Sequence, residues 1–409
     1  MSLNSLEGIR VIDLSHVIAG PTASHYLVQE GAEVIKVENP HTGDILRGRA
    51  ADRLDDGISI GFAAINGGKK SLAIDLKHPR CAAALGALVK SADVFIENFR
   101  PGAVARLGFD YAAVKAIKPD IVYASITGFG QEGEWGRRAA YDHVVQTAIG
   151  MGMMQGAEDD DPVKVGFPVI DTATGMIAAQ ALLAALLRRF RKGVGAYLDI
   201  SMAQAGLQLM WPEAARAGVT GRDASRVGNR GFSGSPGAST FRCADGWIST
   251  AANTARQFRA LCEVIGLPGV PDDATLLDTA AMARGQGFVS PTDAAHLQAV
   301  LAEAIMRQNA AELEARLVAR DVPCARMVTL AAFIKRAAAG GMLTLPVRRT
   351  AYAHGVLTDF GGGFKADGAA HAPQAPAPRL GQDTGTILTE LGLSGAEIAA
   401  LAQDGKVRV

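Results

Sequence analysis

Short β-branched runs recur through the first half of the chain, at residues 9–15, 32–39, 71–76, 92–98, 120–127 and 196–201. Between them apolar residues take a helical period, most clearly over 79–91 and 172–191. Strands that alternate with helices pair in parallel through right-handed crossovers, which predicts an α/β fold on a Rossmann-like parallel sheet. Several of the runs end in polar or glycine-rich segments, and ligands of open parallel sheets bind at those carboxyl ends. After Met202 a helical pattern runs to about Gly218, and the Gly-, Ser- and Arg-rich stretch 221–239 reads as linker and loop. A second block follows, with a hairpin over 240–253 turning on residues 244–246, helical patterns near 255–265, 293–307 and 309–319, and a strand over 322–328. Residues 361–378 lack periodicity and read as an extended surface segment. Residues 383–405 predict two short amphipathic helices, the second opened by a capping box of Ser394 and Glu397. The expected organisation is a large α/β domain (1–201), a linker (202–226), a smaller α/β domain (227–330), a second linker (331–355) and a C-terminal part (356–409).

With 409 residues, 48% of them hydrophobic, the chain can bury two cores. The formal net charge of +0 leaves no basic excess to neutralise phosphates, so a nucleic-acid partner is not expected and any anion site must rest on a few local cations. Cys81, Cys243, Cys262 and Cys324 form no CxxC pair, which argues for reduced, buried thiols over a zinc site or a redox dithiol. The first fifteen residues carry no basic segment followed by an apolar one and turn straight into a strand. The apolar run at 176–187 is short for a bilayer span and rich in alanine, as in a buried helix. The expectation is a soluble cytoplasmic protein without a membrane partner.

Five segments place polar or glycine residues at strand ends. Residues 14–24 end a strand on His16 and start a helix at a Gly-Pro pair, exposing backbone N–H groups that suit an anion. Residues 37–49 carry Asp44, Arg47 and Arg49; residues 66–77 carry two lysines; residues 97–111 set Arg100 and Arg106 about a Pro-Gly turn. The fifth runs over 125–156 and then 165–186, where Asp171 precedes a long apolar helix. The local pattern alone favours reading Asp171 as an N-cap. The alternative is an exposed carboxylate at a helix start, ionised with the help of the helix dipole and able to act as a covalent nucleophile.

Taken in order, DLSHVIAGP, GAEVIKVENP, NGGKKSLAIDLK, ADVFIENFRPGAVARLGFDY, SITGFGQEG, AAYDHVVQTAIG, IDTATGM and KGVGAYLDISMAQA resemble the class III (CaiB/BaiF) coenzyme A transferases, the group that contains formyl-CoA transferase and carnitine CoA-transferase. Weaker likeness continues through GNRGFSGSPGASTF, VPCARMVTL and PRLGQDTGTILTELGL. The resemblance implies an acyl-CoA:carboxylate CoA-transferase that works through a covalent relay on Asp171, with coenzyme A as substrate and no metal or redox cofactor. It carries CoA contacts over to His16, Val17, Ile18 and Ala19, to Ile74, Asp75, Leu76 and Lys77, to Asn98, Phe99, Arg100 and Arg106, and to Tyr141 and Asp142. It also implies an interlocked homodimer whose C-terminal part returns to the large domain.

Three positions depart from the family pattern. Asn39 stands where a relative has an arginine beside the CoA nucleotide, a role that Arg47 or Lys36 could take over. Ile18 replaces a glutamine that serves formyl and oxalate chemistry. Gly234, Ser235, Pro236 and Gly237 lie where a glycine-rich loop closes over the acyl group, without being a glycine run. The last two departures argue against a formyl-CoA/oxalate pair. The expected substrates are a short- or medium-chain acyl-CoA, succinyl-CoA among them, and a small mono- or dicarboxylic acid, with Arg137, Arg138 and Arg230 as local cations. The rival on the same fold, an α-methylacyl-CoA racemase, pairs its aspartate with a histidine where this chain has Tyr141; His143 lies two positions on. A dinucleotide-binding module would need a complete GxGxxG after the first strand, and AGPTAS is not one. A catalytically silent CoA-binding scaffold would keep the fold but has no use for Asp171.

Overall fold

Both faces of the central sheet are apolar, and this alternation along each strand organises the molecule. The computed structural model describes residues 3–48, 52–223, 225–231, 233–285, 287–340, 346–368 and 375–409. Arg49, Phe232 and parts of the 331–355 and 361–378 segments therefore lie outside the described residues. The chain forms two units, one of residues 1–151, 164–223 and 345–409, the other of residues 152–163 and 224–344.

The first unit begins with β1 (Arg10–Asp13), α1 (Ala19–Gln29), β2 (Glu33–Glu38), a small hairpin of β3 (Arg53–Asp55) and β4 (Ile58–Ser59), α2 (Ile60–Asn66), β5 (Lys70–Ile74) and α3 (Pro79–Val89). It continues with β6 (Val94–Glu97), α4 (Ala103–Arg106), α5 (Tyr111–Ile117), β7 (Val122–Thr127), α6 (Asp142–Ala148), α7 (Val169–Lys192), β8 (Ala196–Ser201), α8 (Met202–Leu209) and α9 (Trp211–Thr220). The six strands foreseen between residues 9 and 201 all pair in one parallel sheet, in the order β5-β2-β1-β6-β7-β8. The order runs one way from β1 through β2 to β5 and the other way from β6 to β8, so the sheet switches direction between β1 and β6.

Neighbouring residues on each strand enter different cores, as a period of two requires. Val11, Val34, Val94 and Val122 pack with Leu27 of α1 and Ala178, Leu182 and Leu186 of α7. Ile12, Ile35, Phe95 and Tyr123 pack on the other face with Leu85 and Leu88 of α3 and Val114 of α5. The helical stretch after Met202 breaks in two at Met210, because Pro212 has no N–H to continue a helix and sits in the first turn of the next one.

The apolar run noted at 176–187 is longer than the sequence pattern indicated. It belongs to the 24-residue α7, which is long and apolar enough to cross a membrane, and half of its most apolar stretch is buried within the fold. Its last turn carries Arg189, Arg191 and Lys192, which complement the carbonyl end of the helix. Arg189 also ties the helix to the sheet through Asp93 at 2.7 Å and Asp120 at 2.6 Å.

The second unit has an antiparallel sheet of β9 (Gly237–Arg242), β10 (Trp247–Ala252) and β11 (Cys324–Arg326). Its helices are α10 (Ala255–Ile265), α11 (Thr279–Arg284), α12 (Ala294–Met306), α13 (Ala310–Val318) and α14 (Leu330–Ala338). Phe258, Leu261, Leu297, Leu301, Leu313 and Leu317 form its core.

The chain then re-enters the first unit with a hairpin, β12 (Arg348–Tyr352) and β13 (Gly355–Asp359), that the sequence pattern did not show. The stretch 361–378 is not all surface: Ala377 is 3% exposed and its N–H meets the Tyr352 hydroxyl at 2.9 Å. Helices α15 (Thr384–Glu390) and α16 (Gly395–Gln403) put Ile387, Leu388 and Leu401 into the core beside β5. The capping box of Ser394 and Glu397 is present. The last strand, β14 (Val407–Arg408), pairs antiparallel with the edge of β5.

Candidate active site

The carboxyl ends of β1, β6, β7 and β8 are neighbours in the sheet, and a cavity of about 210 Å³ opens above them at the switch point. His16, Val17, Ile18 and Ala19 follow β1; Asn98, Phe99 and Arg100 follow β6; Tyr141 and Asp171 complete the predicted residues in its wall. Thr127, Gly128 and Met202, at the ends of β7 and β8, also line it, as does Arg138. The sequence signal for Thr127 and Met202 was present in the strand-end rule, but neither side chain has chemistry that marks it out.

Asp171 is not the N-cap that its local sequence favoured. Pro168 occupies that position without a side-chain cap bond, and Asp171 is the third residue of α7. Its place in the cavity depends on how closely α7 approaches α1. A Cβ on Gly175 would stand 2.6 Å from Cβ of Thr22 and 2.9 Å from the carbonyl oxygen of Ala19, so only glycine permits this crossing. One turn before Gly175, Asp171 then faces the start of α1.

Asp142 is 8% exposed and begins α6. Its carboxylate accepts the Asp171 N–H at 2.9 Å and the Gln146 amide at 2.5 Å, while Gln146 accepts the Val165 N–H at 2.9 Å. Burial, with the Asp142 carboxylate adding to it, pushes the Asp171 carboxyl up from 3.8 to about 7. Desolvation and the neighbouring carboxylate thus hold the Asp171 carboxyl well above the usual carboxylate range, although it lies in the first turn of α7.

The loop from β1 to α1 is fastened on all sides. Asn98 accepts the His16 N–H and donates to the His16 carbonyl, both at 2.8 Å. His16 packs edge-on against Phe99, and burial, then Lys36, lower its pKa, so the ring is neutral. Glu97 accepts the Phe99 N–H at 2.9 Å and the Ser125 hydroxyl, and burial raises its carboxyl to about 7.

Within the first unit, the other predicted residues are not among those that line the cavity. Ile74 is buried in the core at the end of β5. Asp75 accepts the Lys77 N–H at 3.0 Å and pairs with Lys406 at 3.3 Å, leaving Lys77 exposed and Leu76 partly so. Arg106 is exposed at the end of α4. Asn39 folds back on the turn after β2, accepting the N–H groups of His41 and Thr42. Neither Lys36 nor Arg47 can stand in for the missing arginine. Lys36 is fully buried against Asp44 at 3.0 Å, and Arg47 is buried against Glu38 at 2.8 Å, over the ring of Phe62. In the second unit Ser235 is buried with its hydroxyl on the Ala252 carbonyl at 3.0 Å. Gly237 starts β9, where a Cβ would stand 2.8 Å from Ala252. Gly234 has a left-handed backbone (φ 68°), and Pro236 completes the turn into that strand.

Residues 6–384 match the model of CoA-transferase family III, and the chain belongs to that family. It is 37% identical over 272 residues to succinyl-CoA:glutarate CoA-transferase of Mus musculus, covering 66% of this chain and 62% of that protein. It is 38% identical over 273 residues to succinate–glutarate CoA-transferase of Agrobacterium fabrum, covering 66% and 68%. The matched stretch thus spans about two thirds of these relatives' length. A solved CAIB/BAIF family protein from Brucella suis superposes with a TM-score of 0.81 at 28% identity, covering 95% of this chain and 99% of that one.

Proposed function

We propose that the protein moves coenzyme A from an acyl-CoA to a carboxylic acid through covalent intermediates on Asp171. The observation that carries this is the position of Asp171, the one carboxylate among the described residues that line the cavity at the sheet's switch point. Its carboxylate attacks the thioester carbonyl; the C–S bond breaks and CoA leaves as thiolate, giving an acyl–aspartyl anhydride. The thiolate then attacks the aspartyl carbonyl, the C–O bond breaks, and the donor acid departs, leaving aspartyl-CoA. The acceptor carboxylate attacks that thioester and releases thiolate, which takes the new acyl group and frees Asp171. Anhydride and thioester are both activated acyl groups, so acyl activation is kept through the cycle as long as water is excluded.

The names of the relatives support a small dicarboxylate such as glutarate or succinate among the acids, with Arg138 and Arg100 as cations in the cavity wall. A cytoplasmic homodimer is part of the same reading. Met176, Leu183, Leu187 and Phe190 share one outer stripe of α7 and are each more than 40% exposed, an area that a second copy would cover. Intact-protein mass spectrometry tests the chemistry. After brief incubation with succinyl-CoA and trapping with hydroxylamine or borohydride, the modification is expected on the peptide that contains Asp171, and Asp171→Ala should abolish it while CoA still binds. No adduct over a panel of thioesters, together with deuterium exchange at the α-carbon of a 2-methylacyl-CoA, would replace this reading by a racemase.

A further inference from the structure

Val17 is the only non-glycine residue with a left-handed backbone among the described residues of the cavity wall (φ 67°). For a β-branched side chain this conformation is strongly disfavoured, so other contacts must hold it. Asp44 supplies them from 27 residues further along the chain. Its two carboxylate oxygens accept the Val17 N–H at 3.3 and 3.2 Å. Asp44 is itself fully buried and fixed by Lys36 Nζ at 3.0 Å and by the Leu46 N–H at 3.0 Å. Lys36 reaches on to the Ser15 carbonyl at 2.6 Å, so one ion pair grips the loop at both sides of His16.

We propose that Asp44 is a positioning residue for CoA transfer. By capturing the Val17 N–H it keeps Val17 left-handed, and this sets the course of the chain into α1, whose cap Ile18 and first residue Ala19 stand in the same cavity as Asp171. Asp44 touches no part of the cavity surface; it acts through Val17. A glycine at position 17 adopts the same backbone without a Cβ penalty and makes the anchor dispensable.

The inference rests on the CoA-transfer reading, and its test separates the two. Single-turnover formation of the Asp171 adduct is followed in the wild type, Asp44→Ala, Val17→Gly and the double variant. Asp44→Ala should slow the step by about tenfold or more against the wild type, whereas the same change made on top of Val17→Gly should cost little against Val17→Gly alone, whatever the rate of that single variant, while the Tm of the double variant stays low. A purely structural Asp44 would lower the Tm alone, leaving the rate of the folded protein unchanged, and either that result or an equal loss of rate on the Val17→Gly background overturns the proposal. If Asp44→Ala does not fold, Asp44→Ala/Lys36→Met, which removes both buried charges, is compared with and without Val17→Gly. Hydrogen exchange on the unmodified chain stands apart from catalysis: the Val17 amide should be protected, and fast exchange there refutes the anchor even if the wild type forms no adduct and the functional reading falls.

Discussion

In the proposed mechanism the Asp171 carboxylate must be ionised to attack, so its raised value predicts an acid limb in kcat/KM where an ordinary aspartate would give none. With a pKa of about 7, the group is roughly one-tenth ionised at pH 6 and nine-tenths ionised at pH 8. The rate constant should therefore fall about tenfold from pH 8 to pH 6. At the unperturbed value of 3.8 it would be flat over that range. Asp142→Asn removes the like charge beside Asp171 and keeps one oxygen to accept its N–H, at the expense of the Gln146 contact. The limb should move to lower pH but stop well short of 3.8, because burial is the larger cause. The assay is initial-rate conversion of acyl-CoA with the acceptor acid, followed chromatographically from pH 5 to 9 in the wild type and in Asp142→Asn. A flat wild-type profile between pH 6 and 8, or a limb that moves upward in Asp142→Asn, refutes the reasoning.

The same shift bears on stability. A carboxyl raised in the folded state disfavours folding once the unfolded chain has released its proton, so the penalty starts near pH 3.8, grows to about pH 7 and is constant above. Asp171→Asn should thus gain about 2–4 kcal/mol of stability at pH 8 and nearly nothing at pH 4, read by denaturant titration at both values. Gly175→Ala pushes a methyl into Thr22 and the Ala19 carbonyl, and should cost about 1–3 kcal/mol with a disproportionate loss of kcat as α7 leaves α1. An unchanged kcat in the folded variant would show that Asp171 tolerates the shift. Ser394→Ala breaks the capping box of α16 far from the cavity and should lower stability by about 1 kcal/mol with no change in rate.

The parallel sheet was legible because its strands are short apolar runs, several of them rich in β-branched residues, such as RVID or EVIKVE, with a helical period between. The hairpin of β12 and β13 was not, since Arg348–Tyr352 and Gly355–Asp359 alternate weakly and bury little. Nor was the two-residue β14, which is a strand only because the edge of β5 is open beside it. At the site, the strand-end rule pointed to the segment that holds His16, while Asn98 and the role of Asp171 came only from the family resemblance; the fold brings all three to one cavity. The neighbours that tune them could not be read. Asp142 was named only as a CoA contact that the resemblance implies, and Asp44 and Lys36 only as local charges; that the fold buries all three could not be read. The cap reading of Asp171 failed for a related reason: a local pattern cannot tell the first residue of a helix from the third when Pro168 is free to open it.

The first unit is assembled from three stretches of chain, the last beginning at residue 345 and ending in the strand that closes the open edge of β5. On a ribosome the polypeptide emerges in order, so the intervening residues 224–344 are all available to fold before that edge is covered. For the whole of that interval β5 presents unpaired backbone groups to its surroundings, a template for pairing with other nascent chains. The rate at which the final sixty-odd residues are delivered thus sets how long the protein is exposed to misassembly, and slow codons there should lower soluble yield without altering the finished enzyme.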